Sequence, residues 1–176
     1  GKKLKLHASR VREGSGVTLL TEGLLVSEPA VEGAVFSQMA NATDFSDPVT
    51  VLYGHNIVND AMFATLHAYE DPAFFADNPE LYVYLPDRIL AYEVVAAYES
   101  DDRHILNSFD FADPAVREAY FASVLAPDDP QANVRDGAQL DADDRIVQLS
   151  TCRSALTSDP VRYIVTAVLV GEKPAA

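Results

Sequence analysis

"IVQLSTCRSALTSDPVRYIV" occupies residues 146–165 and sets two apolar, β-branched runs on either side of a polar turn. Residues 145–151 predict a strand, residues 153–160 a loop containing Ser-Asp-Pro, and residues 161–170 a second strand. Cys152 is the only cysteine in the chain and ends the first strand, and Arg162 opens the second. Parts of both runs are apolar on both faces, which fits a closed or strongly curled sheet. A side chain at the end of such a strand is held rigidly at a surface.

The nucleophilic form of cysteine is the thiolate, and a free thiol titrates near ~8.5. A working cysteine therefore needs a nearby base or positive charge. Arg162 supplies a permanent charge and a fork of N–H donors. If the two strands are neighbours, Cys152 and Arg162 flank one groove. Arg162 and the backbone N–H groups of residues 151–153 then face a developing oxyanion. Four histidines are candidate bases: His7, His55, His67 and His104. His7 lies in a basic arm, His67 in an amphipathic segment, and His104 after Asp-Asp-Arg. His55 lies in "VLYGHNIVND", directly after a predicted strand over residues 49–54, where Gly54 permits a sharp turn. Singly, each feature has a plainer reading: a cysteine acting as a small hydrophobe, a packed histidine, a solvated arginine. The combination carries the chemical reading.

Composition narrows the alternatives. The chain of 176 residues is 48% apolar, enough for one domain with its own core. No apolar run reaches the length of about 18 residues that spans a membrane, and the first residues, GKKLKLHASR, lack the apolar core of a signal peptide. The net charge of −14 makes nucleic acid an unfavourable partner. Lys2, Lys3, Lys5, Arg10 and Arg12 crowd the first twelve residues with no acid among them. They read as a solvated arm or as a segment lying near an anionic membrane. One cysteine cannot form an internal disulfide, which suits a reducing compartment or an exported protein with one working thiol. Cys and His are not clustered, so no metal is expected. The surroundings of Cys152 are not those of a papain-like protease.

Further elements follow from periodicity. Residues 17–26 predict a strand or hairpin broken at Gly23, and residues 31–37 a short strand. Residues 59–79 show a helical period through Met62, Phe63, Leu66 and Tyr69, with Asn59 or Asp60 as cap. Strands are predicted at 81–86 and 89–100, and a helix over 114–125 with Asp113 as N-cap and Pro114 at its first position. Residues 128–144 read as a loop. The composite is mostly β, with no repeat and no dividing linker.

The three-part pattern resembles the sortase family of cysteine transpeptidases. That family carries T-L-x-T-C on one strand, an arginine at the start of the next, and an upstream histidine, often in G-H. Here the cysteine motif is Gln148-Leu149-Ser150-Thr151-Cys152, with Gln where Thr is usual. The arginine lies in Val161-Arg162-Tyr163-Ile164-Val165, and the histidine in Tyr53-Gly54-His55-Asn56. The stretches around the histidine and a helix at 114–125 are most like class B. The Asp-Pro-aromatic lid of pilus-building class C enzymes is not evident. The resemblance covers roughly residues 33–170 and implies a closed β-barrel with peripheral helices, including one between strands 6 and 7. It divides the chain into an atypical N-terminal segment, 1–30, comprising a basic arm and a possible strand, and a catalytic domain, 31–176. The Trp- and Pro-containing first strand usual in class B is missing, and the chain has no tryptophan.

The resemblance also implies a mechanism. Cys152 attacks the carbonyl of a threonine in the C-terminal sorting signal of a surface protein, Arg162 holds the oxyanion, and His55 protonates the leaving amine. A thioester on Cys152 then passes the acyl group to an amine, usually of a cell-wall precursor such as lipid II. Tyr53, Asn56, Ser150, Thr151 and Arg153 flank the catalytic positions, and Ser108 and Phe109 are expected to wall the substrate groove. Arg153 stands where relatives can carry an acidic residue. No cofactor is implied. The expected location is the outer face of the cell membrane of a Gram-positive bacterium, through an anchor outside this sequence. The alternatives are a pilin-polymerising sortase and a catalytically silent, peptide-binding scaffold.

Overall fold

Valine, isoleucine, threonine and tyrosine dominate three segments, and these form the strands that carry the site. The computed structural model describes residues 4–12, 15–21, 35–54, 56, 63–154 and 160–175. The strands are β1 (Leu4–Arg12), β2 (Ser15–Thr21), β3 (Val35–Ser37), β4 (Val49–Tyr53), β5 (Glu80–Tyr84), β6 (Arg88–Asp101), β7 (Asn133–Val134), β8 (Ile146–Cys152) and β9 (Val161–Pro174). The helices are a 3-10 helix (Phe63–Glu70), α1 (Pro72–Asp77), α2 (Ile105–Ser108) and α3 (Pro114–Leu125). None of the described helices is long and apolar enough to cross a membrane.

The strand order is β5-β1-β2-β3-β4-β8-β9-β6-β7, and β5 also pairs with β6. The sheet therefore curls back on itself into a barrel-like body. "Closed" is approximate, because β3 holds β2 and β4 through only two partner pairs each. β4 and β8 run parallel, and β8 and β9 antiparallel. The basic stretch at residues 4–12, expected as a solvated arm, is strand β1, paired with β2 and in parallel with β5.

The period-2 alternation of strands divides the core into two layers. Leu52, Leu149, Tyr163 and Val165 point inward, against Phe63, Leu66 and Leu81. Val49, Val51, Ile146 and Ile164 point outward and are covered by Tyr120, Phe121 and Val124 of α3. The same alternation puts Gln148, Ser150, Cys152 and Arg162 on the outer face.

Helix α3 begins and ends where its sequence predicts. Asp113 accepts a hydrogen bond from the Ala115 N–H at 2.9 Å, and Pro114 takes the first position. The segment over residues 59–79 differs from the single helix its period predicts. It divides into the 3-10 helix and α1, because Pro72 lacks an N–H and Asp71 starts a new helix by accepting from the Ala73 N–H at 2.9 Å. The predicted cap residues Asn59 and Asp60 lie outside the described residues, as does the predicted break at Gly23.

Gln148 ties α3 to the sheet. The Tyr120 hydroxyl donates to Gln148 Oε1 at 2.7 Å, and Gln148 Nε2 donates to Tyr98 Oη at 3.3 Å and Thr166 Oγ1 at 3.0 Å. Burial raises both phenols, Tyr98 to about 12, so both remain protonated at neutral pH. Gln148→Leu leaves the Tyr120 hydroxyl without its acceptor and is expected to cost about 1–3 kcal/mol in urea unfolding. Unchanged stability would show that the network contributes nothing net.

Candidate active site

Residues 152 and 162 are partners across the β8–β9 ladder, which explains their ten-residue spacing: the two strands form one hairpin. Arg162 Nη1 donates to Cys152 Sγ at 2.9 Å. The guanidinium thus presents a permanent charge and further N–H donors directly at the sulfur. Cys152 is partly exposed, so a substrate can reach it.

The chain leaving β4 is bound to the end of β8. Gly54 N–H donates to the Ser150 carbonyl at 3.1 Å, and Asn56 Nδ2 donates to the Cys152 carbonyl at 3.1 Å. His55 lies outside the described residues, but both its chain neighbours are hydrogen-bonded to β8 within two residues of the sulfur. Gly54 is needed for close approach and not for a left-handed turn: Gly137 is the glycine with positive φ among the described residues. A Cβ on Gly54 would lie 2.7 Å from Cγ and Cδ2 of the buried Phe63 ring. Gly54→Ala should therefore destabilise the fold by about 1–3 kcal/mol and shift the segment bearing His55. Thermal unfolding and turnover check this together; a variant unaltered in both would show that Phe63 yields freely.

His67 is a site neighbour whose role the sequence did not reveal. Its Nδ1 faces Glu70 Oε1 at 2.5 Å and so carries a hydrogen. Its Nε2 lies 3.0 Å from Asn56 Nδ2 and 3.1 Å from the Cys152 carbonyl, and its ring stacks on Tyr163 at 5.0 Å. Neutral His67 accepts from Asn56 at Nε2, and the imidazolium donates there to the Cys152 carbonyl. Either form braces the end of β8. The i,i+3 spacing of His67 and Glu70 was the one signal in the sequence, and it did not point to Cys152.

On the outer face, a cleft of about 120 Å³ adjoins Arg162 and is lined by Tyr53, Asp101, Arg103, His104 and Ser150. The Tyr53 hydroxyl is buried without a hydrogen-bond partner. Burial raises its pKa and the charge of Arg162 opposes that rise, so it is a protonated donor at neutral pH. A further cleft of about 390 Å³ shares Asp101, Arg103, Ile105 and Ile164 with the first and reaches Phe109 and Tyr120. Phe109 stacks with Phe111 and packs on Tyr120, forming an aromatic wall. Ser108 instead donates its hydroxyl to the His104 carbonyl at 2.9 Å and lines neither cleft. Thr151 is fully buried on the inner face, away from the sulfur. Arg153 pairs with Glu99 at 2.9 Å.

The sortase domain model matches residues 13–170, and the chain belongs to the sortase family. Its relatives are class B. Sortase B of Listeria monocytogenes is 28% identical over 144 residues, covering 82% of this chain. The chain spans 57% of the length of that relative. A mutant form of Clostridium perfringens sortase B superimposes with a TM-score of 0.70 at 25% identity, over 82% of this chain and 66% of that one. A Staphylococcus aureus sortase B–substrate complex shares the fold, with a TM-score of 0.62 at 20% identity over 80% and 63% of the two chains.

Proposed function

We propose that this protein is a class B-like cysteine transpeptidase that joins a sorting-signal peptide to an amine. The observation that carries the reading is the 2.9 Å contact between Arg162 Nη1 and Cys152 Sγ, beside a cleft that Arg162 lines. Membership of the sortase family and the binding of Gly54 and Asn56 to β8, on either side of His55, support it.

In the first half-reaction the sulfur of Cys152 attacks the threonine carbonyl carbon. The carbonyl oxygen gains negative charge, and Arg162 stabilises it. The C–N bond breaks, His55 gives its proton to the leaving amine, and a thioester remains on Cys152. In the second half-reaction an amine attacks the thioester carbon. His55 takes its proton, the C–S bond breaks, and a new amide is released. Water in place of the amine gives hydrolysis.

The peptide lies in the outer clefts. The free Tyr53 hydroxyl and Ser150 flank the reacting carbonyl, and Phe109 and Tyr120 wall the approach. Asn56 acts indirectly by holding the end of β8. The donor is the sorting signal of a surface protein and the acceptor a lipid II-like cell-wall precursor, at the outer face of the membrane. A peptide library incubated with the protein and triglycine tests this. Cleavage after Thr with a triglycine-ligated product is expected. A library left intact at every member, with Cys152 still freely alkylated, would replace the enzyme with a peptide-binding scaffold.

A further inference from the structure

A third cleft, of about 680 Å³, opens at the end of β8 and is lined by Glu70, Glu99, Asp129, Asn133, Arg153 and Tyr163, among others. It shares no residue with the cleft around Arg162 and meets the cleft of about 390 Å³ only at Glu99. Side chains alternate along a strand, so Tyr163 faces away from Arg162, and Arg153, just past the end of β8, pairs with Glu99, the cross-strand partner of Tyr163. Arg153, which lines it, directly follows Cys152 in the chain.

Three carboxylates face this cleft against one guanidinium. Glu99 pairs with Arg153 at 2.9 Å and Glu70 with His67 at 2.5 Å. Asp129 accepts from the backbone N–H of Glu99 at 2.8 Å and of Gln131 at 2.9 Å. A carboxylate offers about four lone-pair sites, so each retains capacity for another donor.

Tyr163 supplies an independent observation. It is 3% exposed, and its hydroxyl is buried without a hydrogen-bond partner. Folded proteins rarely leave such a group unpaired. Burial raises its pKa, and Glu70, Asp129 and Glu99 each raise it further, so the hydroxyl senses all three carboxylates. An oxygen in that field is suited to a positively charged donor. A primary ammonium has three N–H groups, enough for the phenol oxygen and two carboxylates.

We propose that this cleft binds the primary ammonium group of the accepting substrate, on the face of β8 opposite the peptide groove. The assignment rests on the reading above that an amine consumes the thioester at Cys152. It separates the two substrates: the peptide enters along the outer face, the amine from the side of Arg153 and Tyr163. The ammonium gives one proton to solvent water before it attacks, its second passes to His55 as the amide forms, and the carboxylates gather it near the strand end until then.

The test is a binding titration on the full chain carrying Cys152→Ala, which cannot turn over. The probes are triglycine amide and its N-acetylated form, which lacks the charge, followed by NMR at low salt. Triglycine amide should shift the signals of Tyr163 and Asn133 saturably, and the acetylated probe should bind about tenfold more weakly or worse. Adding Tyr163→Phe removes only an unpaired hydroxyl, so the melting temperature should not fall, while binding of the amide weakens about fivefold. Asp129→Asn should weaken it as well. Equal binding of the two probes, no saturable shift, or undiminished binding in Tyr163→Phe would each overturn the assignment. Thioester formation by the unmutated protein, measured separately, keeps the two readings apart. A thioester without charge-dependent binding removes the ammonium site alone. Charge-dependent binding without a thioester leaves the site standing and removes the transpeptidase reading.

Discussion

Replacing Arg162 by alanine should lower turnover of a sorting peptide by about 10²-fold or more, the scale seen when an oxyanion donor is removed. The basis is the direct contact of its guanidinium with Cys152 Sγ, fixed by the pairing of residues 152 and 162 across the β8–β9 ladder. In the proposed reaction the threonine carbonyl becomes tetrahedral at the sulfur, which brings its forming oxyanion to the same fork. Arg162→Lys keeps the charge but loses the fork, and should recover only part of the activity. The side chain sits at a strand end, so the fold should survive both changes. Steady-state kinetics with a cleaved peptide and a fixed amine measure the effect. Near-normal kcat/KM in Arg162→Ala would remove this residue from the chemistry.

His55→Ala should abolish acyl transfer, a loss of about 10³-fold or greater, while leaving thermal unfolding nearly unchanged. In the proposed reaction one group gives a proton to the leaving amine and later takes one from the entering amine. His55 is the histidine whose chain neighbours, Gly54 and Asn56, are bound to β8 at Ser150 and Cys152. His67 is engaged with Glu70 and Asn56, and His104 lies before α2 in contact with Gln38, so neither replaces it. A collapse of the melt would mark His55 as structural. Retained acyl transfer with an intact melt would move the acid–base role to another group.

The central hairpin was legible because two strong local signals agree. A β-branched run ending in Cys152 and another opening at Arg162 admit one simple pairing across a short loop, and period-2 alternation then gives both side chains one face. Asp113-Pro114 likewise marked the start of α3, where cap and proline act locally. What escaped the sequence depends on distant residues meeting. The bracing of β8 by His67 joins residues 85 apart in the chain, and no periodicity shows it. Gly54 reads as a turn residue until Phe63 is seen against it. Arg153 neighbours Cys152 in the chain, and its pairing with Glu99 on another strand shows only in the structure. Gln148 looks like a departure from the family motif, and its reason is the pair of tyrosines on α3 and β6 that its amide joins.

Sulfur, guanidinium and imidazole are proposed to serve one acyl transfer, and intact-mass spectrometry tests this most directly. The protein is mixed with a Thr-containing sorting peptide that it cleaves, quenched in acid, and weighed. A mass increase equal to the acyl portion, located on Cys152, discharged by added amine and absent from Cys152→Ala, is the predicted result. Peptide cleavage with no adduct in the unmutated protein, or cleavage that persists in Cys152→Ala, would contradict it.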